Sequence, residues 1–115
     1  MVVSSIWQEL ARQEKFAYVT TKAAIAGLVP SVAIDLGSMG FAINAVLPGV
    51  IASPMAKTQL SEAEISRIKL GTPGGKLASE GELANVIEWL ASSRSIGINA
   101  ESIRVDNGWS RTRHV

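Results

Sequence analysis

Tyr18 is the only tyrosine of the chain, and Lys22 follows it four positions later in the stretch YVTTK. On a helix, residues four apart share a face. A phenol ionises near pH 10, so a tyrosine that exchanges protons near neutrality needs its phenolate stabilised by about three pH units, roughly 4 kcal/mol. A lysine ammonium on the same face supplies part of that stabilisation. The pair is therefore a candidate acid/base device. The same spacing also describes a tyrosine packed at a helix start beside a solvated lysine, so the other residues must decide.

Several further positions carry possible chemistry. Ser4 and Ser5 close the short run MVVSSI, and Asn44, Pro48, Gly49 and Ser53 fall in INAVLPGVIASPM. Cysteine is absent, which excludes a disulfide framework and a thiolate zinc site. The one histidine, His114, lies next to the C-terminus, where a tail residue is expected rather than a ligand or base. GTPGG, from Gly71 to Gly75, stands between two helical patterns rather than after a strand, so it does not read as a phosphate cradle. Trp89 and Trp109 read as packing residues. A formal net charge of +1 provides no basic footprint for nucleic acid.

The elements that must position these residues emerge from periodicity. MVVSSI reads as a short strand, and a helix is expected from Phe16 to about Leu36. Between Ala23 and Ile34 its only polar side chain is Ser31, so the helix should be covered on several sides, by a sheet and by another helix or subunit. Gly27 permits close approach of a neighbour, and Pro30 should bend the helix. Phe41 to Leu47 is nearly continuously apolar, as in a parallel strand covered on both faces. The uncharged run Leu36 to Ala56 is long enough to span a bilayer, but its glycines and prolines favour a strand and loop, and no membrane is expected. After Pro48-Gly49 a loop is expected. Two capping boxes, SEAE from Ser61 and SEGE from Ser79, then open helices. In ESIRVDNG a last strand turns Ile103 and Val105 inward and ends at Asn107-Gly108, residues suited to positive φ.

The alternation of strands and helices implies an α/β fold, the C-terminal part of a doubly wound parallel sheet of Rossmann type, with roughly three strands and flanking helices. At 115 residues the chain is a single partial domain over 1–115, with a substrate-loop region at about 52–78.

Taken in order, Ser5, Tyr18-x-x-x-Lys22, Asn44-x-x-x-Pro48-Gly49 with the Ser53 hydroxyl four beyond the glycine, and the closing VDNG resemble the short-chain dehydrogenase/reductase family. The resemblance covers essentially the whole chain. It implies an NAD- or NADP-dependent oxidoreductase that interconverts an alcohol and a carbonyl by hydride transfer. Tyr18 would be the acid/base, Lys22 would lower the tyrosine pKa and hold the nicotinamide ribose, and Ser5 would hydrogen-bond the substrate oxygen. Pro48, Gly49, Ile51 through its backbone, and Ser53 in place of the more usual threonine would lie along the nicotinamide. Trp7, two residues past Ser5, would wall the substrate pocket, and Asn107 stands where the family usually has glycine.

The family's cofactor half would precede Ser5, and no glycine-rich strand-to-helix turn is present in these residues. The expectation is therefore a catalytic half that is inactive without its complement, cytoplasmic, and homo-oligomeric through the helix 16–36, acting on a small-molecule substrate, with sugar- and polyol-oxidising enzymes the closest in appearance. The alternative is a non-enzymatic dimerisation or interaction module derived from such an enzyme.

Overall fold

The structure, a computed structural model, describes residues 1–112; His114 lies outside them. Three strands form one parallel sheet in the order β1 (Val2–Val3), β2 (Ala45–Pro48), β3 (Ser102–Val105). Parallel neighbours need crossover connections, and helices supply them. Helix α1 (Phe16–Leu36) links β1 to β2, while α2 (Pro54–Gln59), α3 (Glu62–Leu70) and α4 (Glu80–Ala91) lie between β2 and β3. This is the expected α/β architecture.

Register divides the sheet into two faces. Ala45 pairs with Ser102 and Leu47 with Arg104, so these four side chains point one way. On that side Ile6, Val29, Ala45 and Leu47 form the buried cluster, with Trp7, Leu10, Ile25, Ile43 and Trp109 packed around it. The chain after β1 runs through a short 3-10 turn, Ile6–Gln8, and crosses this face toward β3. The Gln8 Nε2 donates to Ser102 Oγ at 2.9 Å, and Glu9 pairs with Arg104. The strap therefore spans the sheet from one edge strand to the other. Val46, fully buried, points to the opposite face.

Helix α1 is the longest element and has no side-chain N-cap. Its continuity rests on a long run of alanines and aliphatic residues, with the Thr20 and Ser31 hydroxyls donating back to the Phe16 and Gly27 carbonyls at 2.8 Å. Pro30 sits inside it without ending it. Only Val29 and Ala33 are buried, so the covering expected on several sides comes from one side of this chain alone. Phe16 and Ile34 stand 85% and 81% exposed. The run Phe16–Met39 is long and apolar enough by length and composition to cross a membrane, the one such helix among the described residues. It is a different segment from the Leu36–Ala56 run considered in the sequence, and its Val29 packs in the chain's own core.

The two capping boxes form as expected. Ser61 Oγ accepts from Glu64 N and Ser79 Oγ from Glu82 N, while Glu64 and Glu82 reach back to the Ser61 and Ser79 amides. The hydrogen bond from Lys76 Nζ, followed by the Ser79 amide, holds the Glu82 carboxyl down to about 2.

Four expectations need correction. The strand over Phe41–Leu47 is shifted to Ala45–Pro48; Asn44 just before it accepts from Val2 N on its carbonyl at 2.9 Å, while its side chain donates to Ile98 O at 2.9 Å and accepts from Glu101 N at 3.0 Å. The first strand is only Val2–Val3, since Ser5 already begins the 3-10 turn. The loop after Gly49 contains α2, opened by Ser53 as N-cap with Pro54 in the first turn. Ile103 and Val105 do not alternate with exposed neighbours: all four residues of β3 are partly buried, as the strap covers one side and the strand is a sheet edge.

Candidate active site at the C-terminal edge of the sheet

The three parallel strands all end on one side, and the segments leaving their carboxyl ends meet there. In open α/β sheets this edge, beyond the carboxyl ends of the strands, is where ligands bind. After β1 come Ser4 and Ser5, both buried. After β2 comes Gly49, whose amide donates to Val105 O at 3.0 Å. After β3 comes Asp106, whose carboxylate accepts from Gly108 N at 2.9 Å and Ser110 N at 2.8 Å and so folds the VDNG segment into a tight turn. Asn107 takes the left-handed conformation there, at φ 54, as its residue type suggested.

Gly49 and Asp106 lock the edge together. A methyl group placed on Gly49 would lie 2.6 Å from Asp106 Cβ and 3.0 Å from its Cα. The glycine is thus demanded by the close approach of two strand ends, a role the sequence motif did not reveal. The signal that was available is Asp106 itself, since an aspartate before Asn-Gly is a side-chain-supported turn.

Tyr18 and Lys22 lie in the first two turns of α1, on the stripe that continues through Ile25, Val29 and Ala33. That stripe packs on the sheet and on the Ile6–Gln8 turn, so the pair extends the buried face toward the segment that Ser5 begins. The Lys22 ammonium stands 5.7 Å from the centre of the Tyr18 ring. No carboxylate pairs with Lys22 among the described residues. Tyr18 is 44% exposed.

The structure also places the remaining expected site residues. Ser5 Oγ accepts from Trp7 N at 3.3 Å and keeps its own proton to donate. Pro48 ends β2. Ile51 bridges to Ala78, and its carbonyl accepts from Ser53 N at 2.8 Å. Ser53 Oγ accepts from Ala56 N at 3.3 Å as the cap of α2, which also leaves its proton free. Trp7 packs edge-on against Trp109, ring centres 6.0 Å apart at 72°, so it is at least a core residue. The bridge between Ile51 and Ala78, with Ala52 N donating to Ala78 O at 2.8 Å, closes the neck of a segment whose α2 and α3 contain no buried residue.

The family model described as enoyl-(acyl carrier protein) reductase matches residues 1–110. The chain belongs to the short-chain dehydrogenase/reductase family. It is 38% identical over 109 residues to L-rhamnose 1-dehydrogenase (NAD(P)(+)) of Azotobacter vinelandii, an alignment covering 94% of this chain and 43% of that protein. To the human (3R)-3-hydroxyacyl-CoA dehydrogenase it is 33% identical, covering 92% of this chain and 40% of the relative. Among solved structures, a 4-hydroxyisoleucine dehydrogenase mutant complexed with NADH and succinate superimposes with a TM-score of 0.90 at 25% identity, over 97% of this chain and 46% of that one. A gluconate 5-dehydrogenase from Burkholderia cenocepacia, in complex with NADP and tartrate, gives 0.89 at 26% identity, over 96% and 44%.

This short-chain dehydrogenase/reductase chain thus spans less than half the length of the relatives it matches. Its fold is the Rossmann-type parallel sheet of that family, and the two solved structures named hold NADH and NADP. At the sheet edge stand the hydroxyls of Ser5 and Ser53, and the first turns of α1 carry the Tyr18 hydroxyl and the Lys22 ammonium, which has no acidic partner among the described residues.

Proposed function

We propose that these residues form the catalytic half of an NAD(P)-dependent oxidoreductase that interconverts a small-molecule alcohol and its carbonyl. The observation that carries the reading is the Tyr18–Lys22 pair, set on the face of α1 that packs against the strap begun by Ser5. Lys22, Tyr18, Pro48, Gly49, Ile51 and Ser53 would hold the cofactor's nicotinamide end. When bound, the nicotinamide supplies or takes up the hydride. Tyr18 exchanges the proton at the substrate oxygen through its hydroxyl, Lys22 stabilises the phenolate electrostatically, and the Ser5 hydroxyl positions that same oxygen. Trp7 borders the substrate. In the cytoplasm, this chemistry would run in either direction according to the cofactor pool.

The 115 residues hold no glycine-rich strand-to-helix turn, so by themselves they are expected to show no turnover. Tyr18→Phe, made in the protein with its cofactor-binding half, tests the mechanism. Turnover should fall by about 10²- to 10⁴-fold, the range for a general acid/base. A variant retaining more than a tenth of parental turnover would sink the assignment.

The outer face of α1 supports a homo-oligomer. Phe16, Ala23, Gly27 and Ile34 fall on one line of the helix, opposite the buried stripe, with large apolar side chains at the ends and small ones between. The same face is the observation that favours the second reading, an interaction module without turnover. Tyr18→Phe separates the two, because it removes activity under the first and leaves association unchanged under the second.

A further inference from the structure

We propose a second ligand site, for a small anion, where the strap meets the turn after β3. A concavity of about 230 Å³ opens there, lined by Glu9, Leu10, Arg104, Ser110 and Arg111. That is below the size of sites for drug-sized ligands and suits a single phosphate or carboxylate group. Its lining holds two guanidinium groups against one carboxylate, and the Asp106 carboxylate behind it is occupied by the Gly108 and Ser110 amides. Glu9 pairs with Arg104 and holds its guanidinium in place on the sheet face, at 24% side-chain exposure. Arg111 has no acidic partner among the described residues. Guanidinium groups present planar pairs of N–H donors that match the oxygens of phosphate and carboxylate.

Ser110 adds an independent observation. Its backbone N–H is fixed by Asp106 Oδ2 at 2.8 Å, while its Oγ is buried with no hydrogen-bond partner in the protein. Buried hydroxyls are seldom left so. Ser110 lines the cavity, and its hydroxyl proton, which no protein group accepts, is one that an anion seated there would accept. The site is built from Asp106's turn and the strap rather than from Tyr18 and Lys22, so it stands whether or not the catalytic reading does.

Trp109 adjoins Ser110 in sequence and gives the readout. Tryptophan fluorescence of the protein, without NAD or NADP, is titrated with inorganic phosphate and separately with succinate, at ionic strength held constant with chloride. The expected result is saturation by one or both, weakened about tenfold or more by Arg111→Gln and also by Ser110→Ala, since each removes a hydrogen bond to a charged ligand. Arg111 is exposed, so its replacement leaves folding intact. Phosphate alone saturating marks a phosphorylated ligand, and succinate alone a carboxylate. A response that chloride reproduces, the absence of saturation by either anion, or affinity unchanged in both variants overturns the proposal.

Discussion

Replacing Gly49 by alanine puts the packing of the sheet edge to a sharp test. The added methyl group would meet Asp106 Cβ at 2.6 Å and Asp106 Cα at 3.0 Å, with Val105 O at 3.8 Å. Carbon atoms in contact prefer about 3.5–4.0 Å, so the gap is short by about 1 Å. The obstacle is backbone and a Cβ, which cannot swing away as the end of a side chain can. Relief therefore requires the end of β2 to move from β3, which strains the Gly49 N to Val105 O bond and the turn that Asp106 organises. Overpacking of this kind costs about 1–3 kcal/mol, and the absence of a flexible partner places the expectation in the upper half of that range. Urea unfolding followed by tryptophan fluorescence measures it, with Gly81→Ala as the control. Gly81 lies in the first turn of α4, where the nearest atom to an added methyl group is Ser79 Oγ at 3.9 Å, and there alanine should stabilise by up to about 1 kcal/mol. The same chemical change thus carries opposite signs at two positions. If Gly49→Ala came within about 0.5 kcal/mol of the parent, the usual spread of a neutral surface change, the strand ends would not be held as close as described.

Other expectations are simpler to state. Asp106→Ala leaves the Gly108 and Ser110 amides without their acceptor and should cost about 1–3 kcal/mol in the same unfolding assay. Ser79→Ala removes the cap of α4 and should cost about 1 kcal/mol. Glu82 is held down to about 2 by Lys76 and the Ser79 amide, so its contribution is present above the ordinary carboxylate range and is lost as pH falls from about 5 toward 2. A Glu82→Gln variant should show a shallower acid dependence of stability across that window, and an unchanged profile would refute the assignment. Ile34→Glu places a charge on the outer line of α1. Sedimentation should then show dissociation with the circular dichroism spectrum retained, and undiminished association would move the subunit contact elsewhere.

The two halves of this chain differ in how openly the residues announce them. Helices α3 and α4 are legible because each capping box is a local device, complete within four residues, and the structure forms both. The run of α1 is legible from composition, but its burial is not. Which of its faces meets the sheet depends on long-range contacts with Ile6 and Leu47, and no period in an almost wholly apolar helix distinguishes them. Asn44 looks like a member of a sequence motif, and its work as a stitch between β2 and the segment before β3 emerges only when Ile98 and Glu101 are brought beside it. Helix α2 is hidden although Ser53-Pro54 is a start signal, because a hydroxyl at Ser53 reads equally well as a ligand group and as a cap. Of the site, the order Ser5, Tyr18, Lys22, Pro48 is readable along the chain. The contact of Gly49 with Asp106, separated by 57 positions, is not.

The single bridge between Ile51 and Ala78 has a consequence for how such a protein can change. The stretch between those two residues is held there, by Glu64 on Arg12, and by Gly71 and Pro73 against the turn after β3, while α2 and α3 bury nothing of their own. Changes confined to α2 should leave the sheet, the strap and the Tyr18–Lys22 helix with the contacts they already have, whereas changes at Glu64, Gly71 or Pro73 should not. Variation is thereby least costly in α2 and most costly where the strand ends, the strap and α1 pack together.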